Sequence, residues 1–477
     1  VLVGLDEFLA RPTDSDNSLE AENAGLIAHS LKTAKTAQEL ATPLGLGTTA
    51  FYAGLLHDIG KLNPFYQKLF SSRPSCREAV KRQVEKEYVR AHAIFSALAV
   101  YGLTRVETLP YPVQKQILFA VAGHHSKLTQ FYKSLEFCER DTERFNRSFA
   151  GVSENLLRFS QTASEIEAFK ELNWSWCLQR FKNLRKPLNE DIYEAESNDC
   201  TVDFLDFSSV FSALIQADRG SFFEWSPSSF NIHFNTDVLV RNSLLSALRM
   251  EFQENVLSQN SVYENLMVLK APTGIGKTKI FLDIVNRLSG KINFERVFYF
   301  SPLLALTEDF ESKLFTESQR DASVLSGEDL EKVLIYNHMF TGSLSEKSRL
   351  TECEGNFDEI EGGAFFKTKE YFEREAFNKE LIITTTQRLL MVLYSNTPAN
   401  KEKLLSFRNS FLIIDEVQTI PKFLLPNLIA LFKVIASKYN AKILLVSATI
   451  PDELQDVPKL KTPVAVENTY LQKTAKK

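Results

Sequence analysis

The run Leu266–Leu269 (LMVL) leads into Ala271-Pro272-Thr273-Gly274-Ile275-Gly276-Lys277-Thr278 and then into Lys279–Leu288, which has helical spacing. A short apolar strand, a glycine-containing loop ending in Lys-Thr, and a helix together make a unit that cradles nucleotide phosphates. Gly274 and Gly276 let the backbone curl so that its amide hydrogens face the phosphates. Lys277 brings a positive charge to the β and γ phosphates, and Thr278 offers a hydroxyl to magnesium. Ala271 stands where the general pattern has its first glycine, so the match is partial. The stretch predicts an α/β domain with a parallel sheet and ATP with magnesium as its ligand.

The flanking sequence supports that reading. Val297–Phe300, Leu381–Ile383, Phe411–Ile414 and Ile443–Val446 are short apolar runs, each followed by polar or small residues. Such runs suit parallel strands buried on both faces, with ligand residues at their carboxyl ends. Asp415-Glu416-Val417-Gln418 follows one of them. There Asp415 can hold the magnesium shell while Glu416 orients or deprotonates an attacking water. Ser447-Ala448-Thr449, Ser301-Pro302 and Thr384-Thr385-Thr386-Gln387 follow three others. Hydroxyls and amides of the last two are suited to a nucleic-acid backbone. The segment 311–380 reads as helices and loops between core strands. Between the two halves, Trp225-Ser226-Pro227-Ser228-Ser229 reads as a linker, followed by a helical stretch around Leu244–Val256.

Upstream, residues from about 18 to 220 read as an all-α domain. Five of the seven histidines lie in the first 125 residues: His29, His57, His92, His124 and His125. Asp58 directly follows His57 in His57-Asp58-Ile59-Gly60-Lys61. Imidazole and carboxylate are the ligands of catalytic divalent metals. Adjacent helical residues point about 100° apart, so His57 can face one metal while the two oxygens of Asp58 bridge to a second. A late carboxylate would complete the set; Asp218 is favoured over nearby Asp203 and Asp206. Two such metals can activate water and stabilise a leaving oxygen in phosphodiester cleavage. Lys61 lies either on the surface or against a substrate phosphate.

Composition bounds the reading. A chain of 477 residues with 44% hydrophobic and 24% charged residues is globular, with room for about three domains. A formal net charge of −5 argues against a uniformly basic nucleic-acid binder, though not against a local basic groove. Cys76, Cys138, Cys177, Cys200 and Cys353 have no regular spacing, as expected of free thiols in a reducing cytoplasm. The most apolar stretch, Phe423–Ala436, is interrupted by Pro426, Asn427 and Lys433, so no membrane span is expected. The chain opens on Val1 without a secretory leader, which suggests an altered or missing start.

In order, His29, His57-Asp58-x-Gly60-Lys61, His92, His124-His125, Asp218, the Ala271–Thr278 loop, Asp415-Glu416-Val417-Gln418 and Ser447-Ala448-Thr449 resemble the CRISPR-associated HD nuclease–helicase of type I interference systems. The resemblance runs from about residue 20 to 455. It implies a helical HD-type metal hydrolase domain (1–220), a linker and helical bridge (221–262), and a first RecA-like helicase domain (263–477). It also implies cleavage of single-stranded DNA, ATP-driven 3′-to-5′ translocation, and recruitment by an RNA-guided surveillance complex. By the family pattern His29, His57, Asp58 and Asp218 hold one metal, and Asp58, His92, His124 and His125 hold the other. Manganese, iron, nickel or cobalt suits so many imidazoles better than magnesium does. Gln418 stands where this family commonly has His. A second RecA-like domain with arginine fingers has no room after Pro451, so a separate polypeptide supplying it, or a truncated chain, is expected. Two other classes compete: an HD-type nucleotide phosphohydrolase regulated through its P-loop domain, and a non-catalytic docking scaffold.

Overall fold

The computed structural model describes residues 8–12, 25–90, 92–100, 108–125, 142–162, 201–221, 223, 229–239, 246–314, 324–336, 341–342 and 369–460. The expected linker at Trp225–Ser228 and Cys138, Cys177, Cys200 and Cys353 lie outside them; Cys76 is exposed with a free thiol. The described residues group into two compact units. One draws on Val1–Trp225, Phe357–Phe372 and Ser395–Leu405; the other draws on Ser226–Asn356, Glu373–Tyr394 and Ser406–Lys477.

The first unit is helical among its described residues, apart from an isolated bridge between Leu9 and Gly25. Helix Leu26–Ala41 buries Ile27, Ser30, Ala34, Ala37 and Ala41, mostly small side chains at helical spacing. Helix Gly47–Leu56 answers with buried Ala50, Ala53 and Gly54, so the two backbones approach closely. Helices His92–Val100, Tyr111–Gly123 and Thr201–Gly220 pack around this pair, each with an interior of apolar and small residues.

The second unit is a mixed sheet with strands in the order β4-β3-β5-β2-β6-β7-β1-β8. They are β1 (Leu266–Lys270), β2 (Arg296–Ser301), β3 (Val333–Tyr336), β4 (Thr341–Gly342), β5 (Leu381–Thr385), β6 (Ser410–Ile414), β7 (Lys442–Ser447) and β8 (Lys459–Leu460). All pairings are parallel except β3 with β4. The five expected strands are β1, β2, β5, β6 and β7, each extended by one or two residues. Strands β3 and β4 correct the reading of 311–380 as helices and loops. Val333–Tyr336 is only four residues long and follows the polar turn Glu328–Lys332, too little periodicity to declare a strand. Phe230, Ile232 and Phe234, with Phe252 and Val256 of helix Ser246–Leu257, are buried in this unit's core beside Met267, Leu269 and Phe281. Among the described residues no helix is long and apolar enough to cross a membrane.

Candidate metal centre and nucleotide loop

The candidate ligands of the helical unit sit at helix ends. His29 lies in the first turn of Leu26–Ala41, His57 follows Leu56, His92 opens its helix, His124 follows Gly123, and Asp218 is in the last turn of Thr201–Gly220. The expectation that His57 and Asp58 diverge along one helix is therefore replaced. The helix stops at His57, and Asp58 (φ −108°, ψ 2°) begins a tight turn through Ile59–Leu62. That turn is possible because of Gly60. A Cβ there would lie 1.9 Å from the carbonyl oxygen of His92, and the Gly60 amide donates to Ser96 Oγ at 2.8 Å. Gly60→Ala is expected to push the start of the His92 helix away and to destabilise the chain by about 1–3 kcal/mol, the usual cost of overpacking. Thermal unfolding checks this.

Four imidazole Nε2 atoms converge on the Asp58 carboxylate. Oδ2 lies 3.3 Å from both His29 and His57, and Oδ1 lies 3.6 Å from His92 and 3.7 Å from His124. Asp218 Oδ1 stands 3.2 Å from His29 and 3.5 Å from His57. The donor atoms of His29, His57, Asp58 and Asp218 fall within 4.8 Å of one another, as do those of Asp58, His92, His124 and His125. Ligands bound at about 2.1 Å to a single ion stand about 3 Å apart, so these separations suit one divalent cation in each group. His125 is the exposed member of its group. Asp206, on the same helix as Asp218, is in neither group; the side chain of Asp203 lies outside the described residues.

The opposite ring nitrogens are each engaged. His57 Nδ1 meets Gly54 O at 2.7 Å, His124 Nδ1 meets Val121 O at 2.6 Å, His92 Nδ1 meets Tyr66 Oη at 3.0 Å, and His29 Nδ1 meets Ser221 Oγ at 3.3 Å. Carbonyl acceptors at Nδ1 of His57 and His124 direct each Nε2 toward Asp58, the ring nitrogen whose lone pair would bind a metal once no proton occupies it. Asp58 Oδ1 is buried without a hydrogen-bond partner, an arrangement a cation would relieve. Tyr66 and Ser221 were invisible as site residues in the sequence; Ser221 is fixed by its hydroxyl donating to Asp218 O at 2.7 Å.

Burial opposes a charge on His57, but the carboxylates of Asp58 and Asp218 outweigh it and lift its pKa to about 10. Burial likewise opposes ionisation of Asp58, yet His57 and Lys61 hold its pKa well below the usual range. Lys61 Nζ lies 2.8 Å from Asp58 Oδ2. A cation must displace the His57 proton, so apparent Mn²⁺ affinity is expected to rise with pH up to about 10. Titrations between about pH 6 and 9 check this, and a flat profile would contradict it. In the metal-free chain the sign for stability is opposite. The raised His57 pKa stabilises fully below about 6.5, and that contribution fades as pH rises through about 10.

In the α/β unit the strand order brings the motif ends together, because β2, β6, β7 and β1 are successive neighbours. Gly274 and Gly276 adopt φ of 80° and 100°, which an L side chain resists, and Lys277 opens helix Lys277–Ser289 with Thr278 next. The Lys277 ammonium pairs with Glu416 and lies 3.7 Å from Asp415 Oδ1. Tyr299, missed in the sequence, donates to Asp415 Oδ2 at 3.0 Å; burial raises the Asp415 pKa against the pull of Lys277. Glu416 is held at φ 51°, a strained conformation for a non-glycine residue. Gln418 donates to Glu416, and its side-chain oxygen lies within hydrogen-bonding reach of Ser447 Oγ. The expected backbone-contact residues divide. Ser301 is buried with its hydroxyl bonded to Thr307 at 2.8 Å, and Thr384 donates to Tyr336 O; Gln387 is exposed and Thr385 half-buried. Ser301 and Thr384 therefore support the loops internally instead of presenting hydroxyls to a ligand.

Comparison with known proteins matches residues 15–190 to the family described as Cas3, HD domain, and residues 244–452 to that described as type III restriction enzyme, res subunit. The chain is 20% identical over 446 residues to the CRISPR-associated nuclease/helicase Cas3 of Streptococcus thermophilus, covering 85% of this chain and 46% of that protein. The helical region thus matches a Cas3-type HD domain, and the chain as a whole resembles Cas3 nuclease/helicases. It spans about half the length of the curated Cas3 it matches. The crystal structure of T. fusca Cas3-ATP shares the fold, with a TM-score of 0.50 and 15% identity, over 91% of this chain and 50% of that one.

Proposed function

We propose that this Cas3-like chain is a divalent-metal-dependent nuclease for single-stranded DNA, joined to an ATP-driven helicase motor acting in type I interference. The observation that carries the reading is the division of the Asp58 oxygens between two histidine pairs, with Asp218 completing one group. Asp58, common to both groups, would be the shared ligand. His29, His57 and Asp218 complete one site, and His92, His124 and His125 complete the other. Divalent ions bound there would supply a nucleophilic water and stabilisation of the leaving oxygen of a phosphodiester. The imidazole-rich donor set favours manganese, iron, nickel or cobalt. Lys61, held by Asp58, adds positive charge where a substrate phosphate would bind.

Gly274, Gly276, Lys277 and Thr278 bind the phosphates of ATP with magnesium. Asp415 would hold the magnesium shell, and Glu416 would orient the attacking water. Hydrolysis also draws on arginine fingers from a second RecA-like domain, and an RNA-guided surveillance complex delivers the displaced strand. Incubating the chain with Mn²⁺ and no ATP tests the nuclease. Labelled single-stranded DNA should be cut while duplex resists. Equal cutting of duplex would contradict a motor-fed nuclease, and activity confined to free nucleotides would favour a nucleotide phosphohydrolase.

A further inference from the structure

Helix Thr201–Gly220 has two occupied sides. On one, Asp218 faces His29 and His57. On the other, Ser212, Gln216 and Arg219, spaced at positions i, i+4 and i+7, form a single stripe. That stripe is clasped by a segment from far along the chain. Ser212 Oγ donates to Glu402 O at 2.9 Å, Gln216 Nε2 donates to the same carbonyl at 2.5 Å, and the Leu405 amide lies 3.2 Å from Ser212 Oγ. The Arg219 guanidinium pairs with the Glu402 carboxylate, which is fully buried. Lys401 adds its ammonium 4.6 Å from the Phe204 ring on the same helix.

Ser395–Leu405 groups with the helical unit although both its sequence neighbours belong to the other one. It leaves helix Thr386–Tyr394 and enters β6, the strand that ends at Asp415 and Glu416. A buried carboxylate paired with arginine is a costly arrangement to maintain at an ordinary helix surface. Arg219, one residue along from Asp218, gives the pair a use.

We propose that Ser395–Leu405 is a positioning strap for the metal centre, in which Arg219 and Glu402 fix the last turn of the Asp218 helix and so set the affinity of the one metal that Asp218 helps to hold. The proposal rests on the two-metal reading above. The strap acts on the group His29, His57, Asp58 and Asp218; the group Asp58, His92, His124 and His125 has no member on that helix. Its effect is therefore selective.

Equilibrium titration with Mn²⁺ on the full chain tests it, with far-UV circular dichroism as a check on folding. Wild type should take up two ions. The paired variant Arg219→Met/Glu402→Gln, which leaves no unmatched buried charge, should keep one ion at wild-type affinity. It should bind the other about 10- to 100-fold more weakly, the scale seen when the support of a metal ligand is removed. Arg219→Lys alone, which keeps a cation opposite Glu402, should retain most of the wild-type affinity. A folded double variant that binds both ions as wild type does would overturn the strap while leaving the two-metal reading intact. Loss of both ions together with helical signal would reduce the segment to a general structural element and also overturn it. A wild type that takes up no Mn²⁺ would remove the two-metal reading and this inference with it.

Discussion

Asp58→Ala is expected to abolish DNA cleavage and to strip Mn²⁺ from both groups, while nucleotide binding at Lys277 persists. Every other candidate ligand belongs to one group, whereas Asp58 belongs to both. Its removal leaves three imidazoles on one side, and two imidazoles with Asp218 on the other. It also removes a main source of the positive charge on His57, whose pKa of about 10 depends on this carboxylate. The variant should therefore hold the His57 proton less firmly than the wild type does. Losing a preorganised electrostatic contact to a transition state costs on the order of 10²–10³ in rate, and here two ions go at once, so the loss should exceed about 10³. Elemental analysis and cleavage of labelled single-stranded DNA read the two effects together. Undiminished cutting with metal retained would remove Asp58 from the chemistry.

Lys277→Ala is expected to weaken nucleotide binding by about 10- to 100-fold, the range of a lost hydrogen bond to a charged group. The Lys277 ammonium neutralises Glu416 and stands beside Asp415. Two carboxylates on successive residues, one of them buried with a raised pKa, would then face each other without a cation. The variant should consequently lose affinity for magnesium-bound nucleotide, and its Asp415 should titrate still higher. Titration with a fluorescent ATP analogue measures the first effect. ATP-independent cutting of single-stranded DNA should be unchanged, since that chemistry needs only the metals and a water. A parallel loss of both activities would contradict separate roles for the two sites.

Sequence chemistry was most legible where a single residue type carries the physics. The five central strands are uninterrupted apolar runs because both faces are buried, and a run of that kind can be seen without any structure. Strand β3 is short and β4 shorter still, both lying in a polar stretch, so neither leaves such a trace. The histidines and Asp58 stood out by type and adjacency. Their placement did not, because it depends on where helices stop, and His57 and His124 each sit just past an end that apolar periodicity does not mark. Asp218 could be preferred to its neighbours but not distinguished from them, since the choice is made by three-dimensional approach to His29 and His57. Ser301 and Thr384 show the converse limit. A hydroxyl after a buried strand reads as a ligand contact, yet here it satisfies a neighbouring turn or carbonyl. The return of Ser395–Leu405 to the helical unit is a tertiary fact with no local signature.

The central claim is that one carboxylate joins two metal sites, and anomalous diffraction at the manganese edge from Mn²⁺-loaded crystals tests it most directly. Two peaks are expected, one on each side of the Asp58 carboxylate. The first should lie against His29, His57 and Asp218, and the second against His92, His124 and His125. A single peak away from Asp58, or none at saturating Mn²⁺, would contradict it.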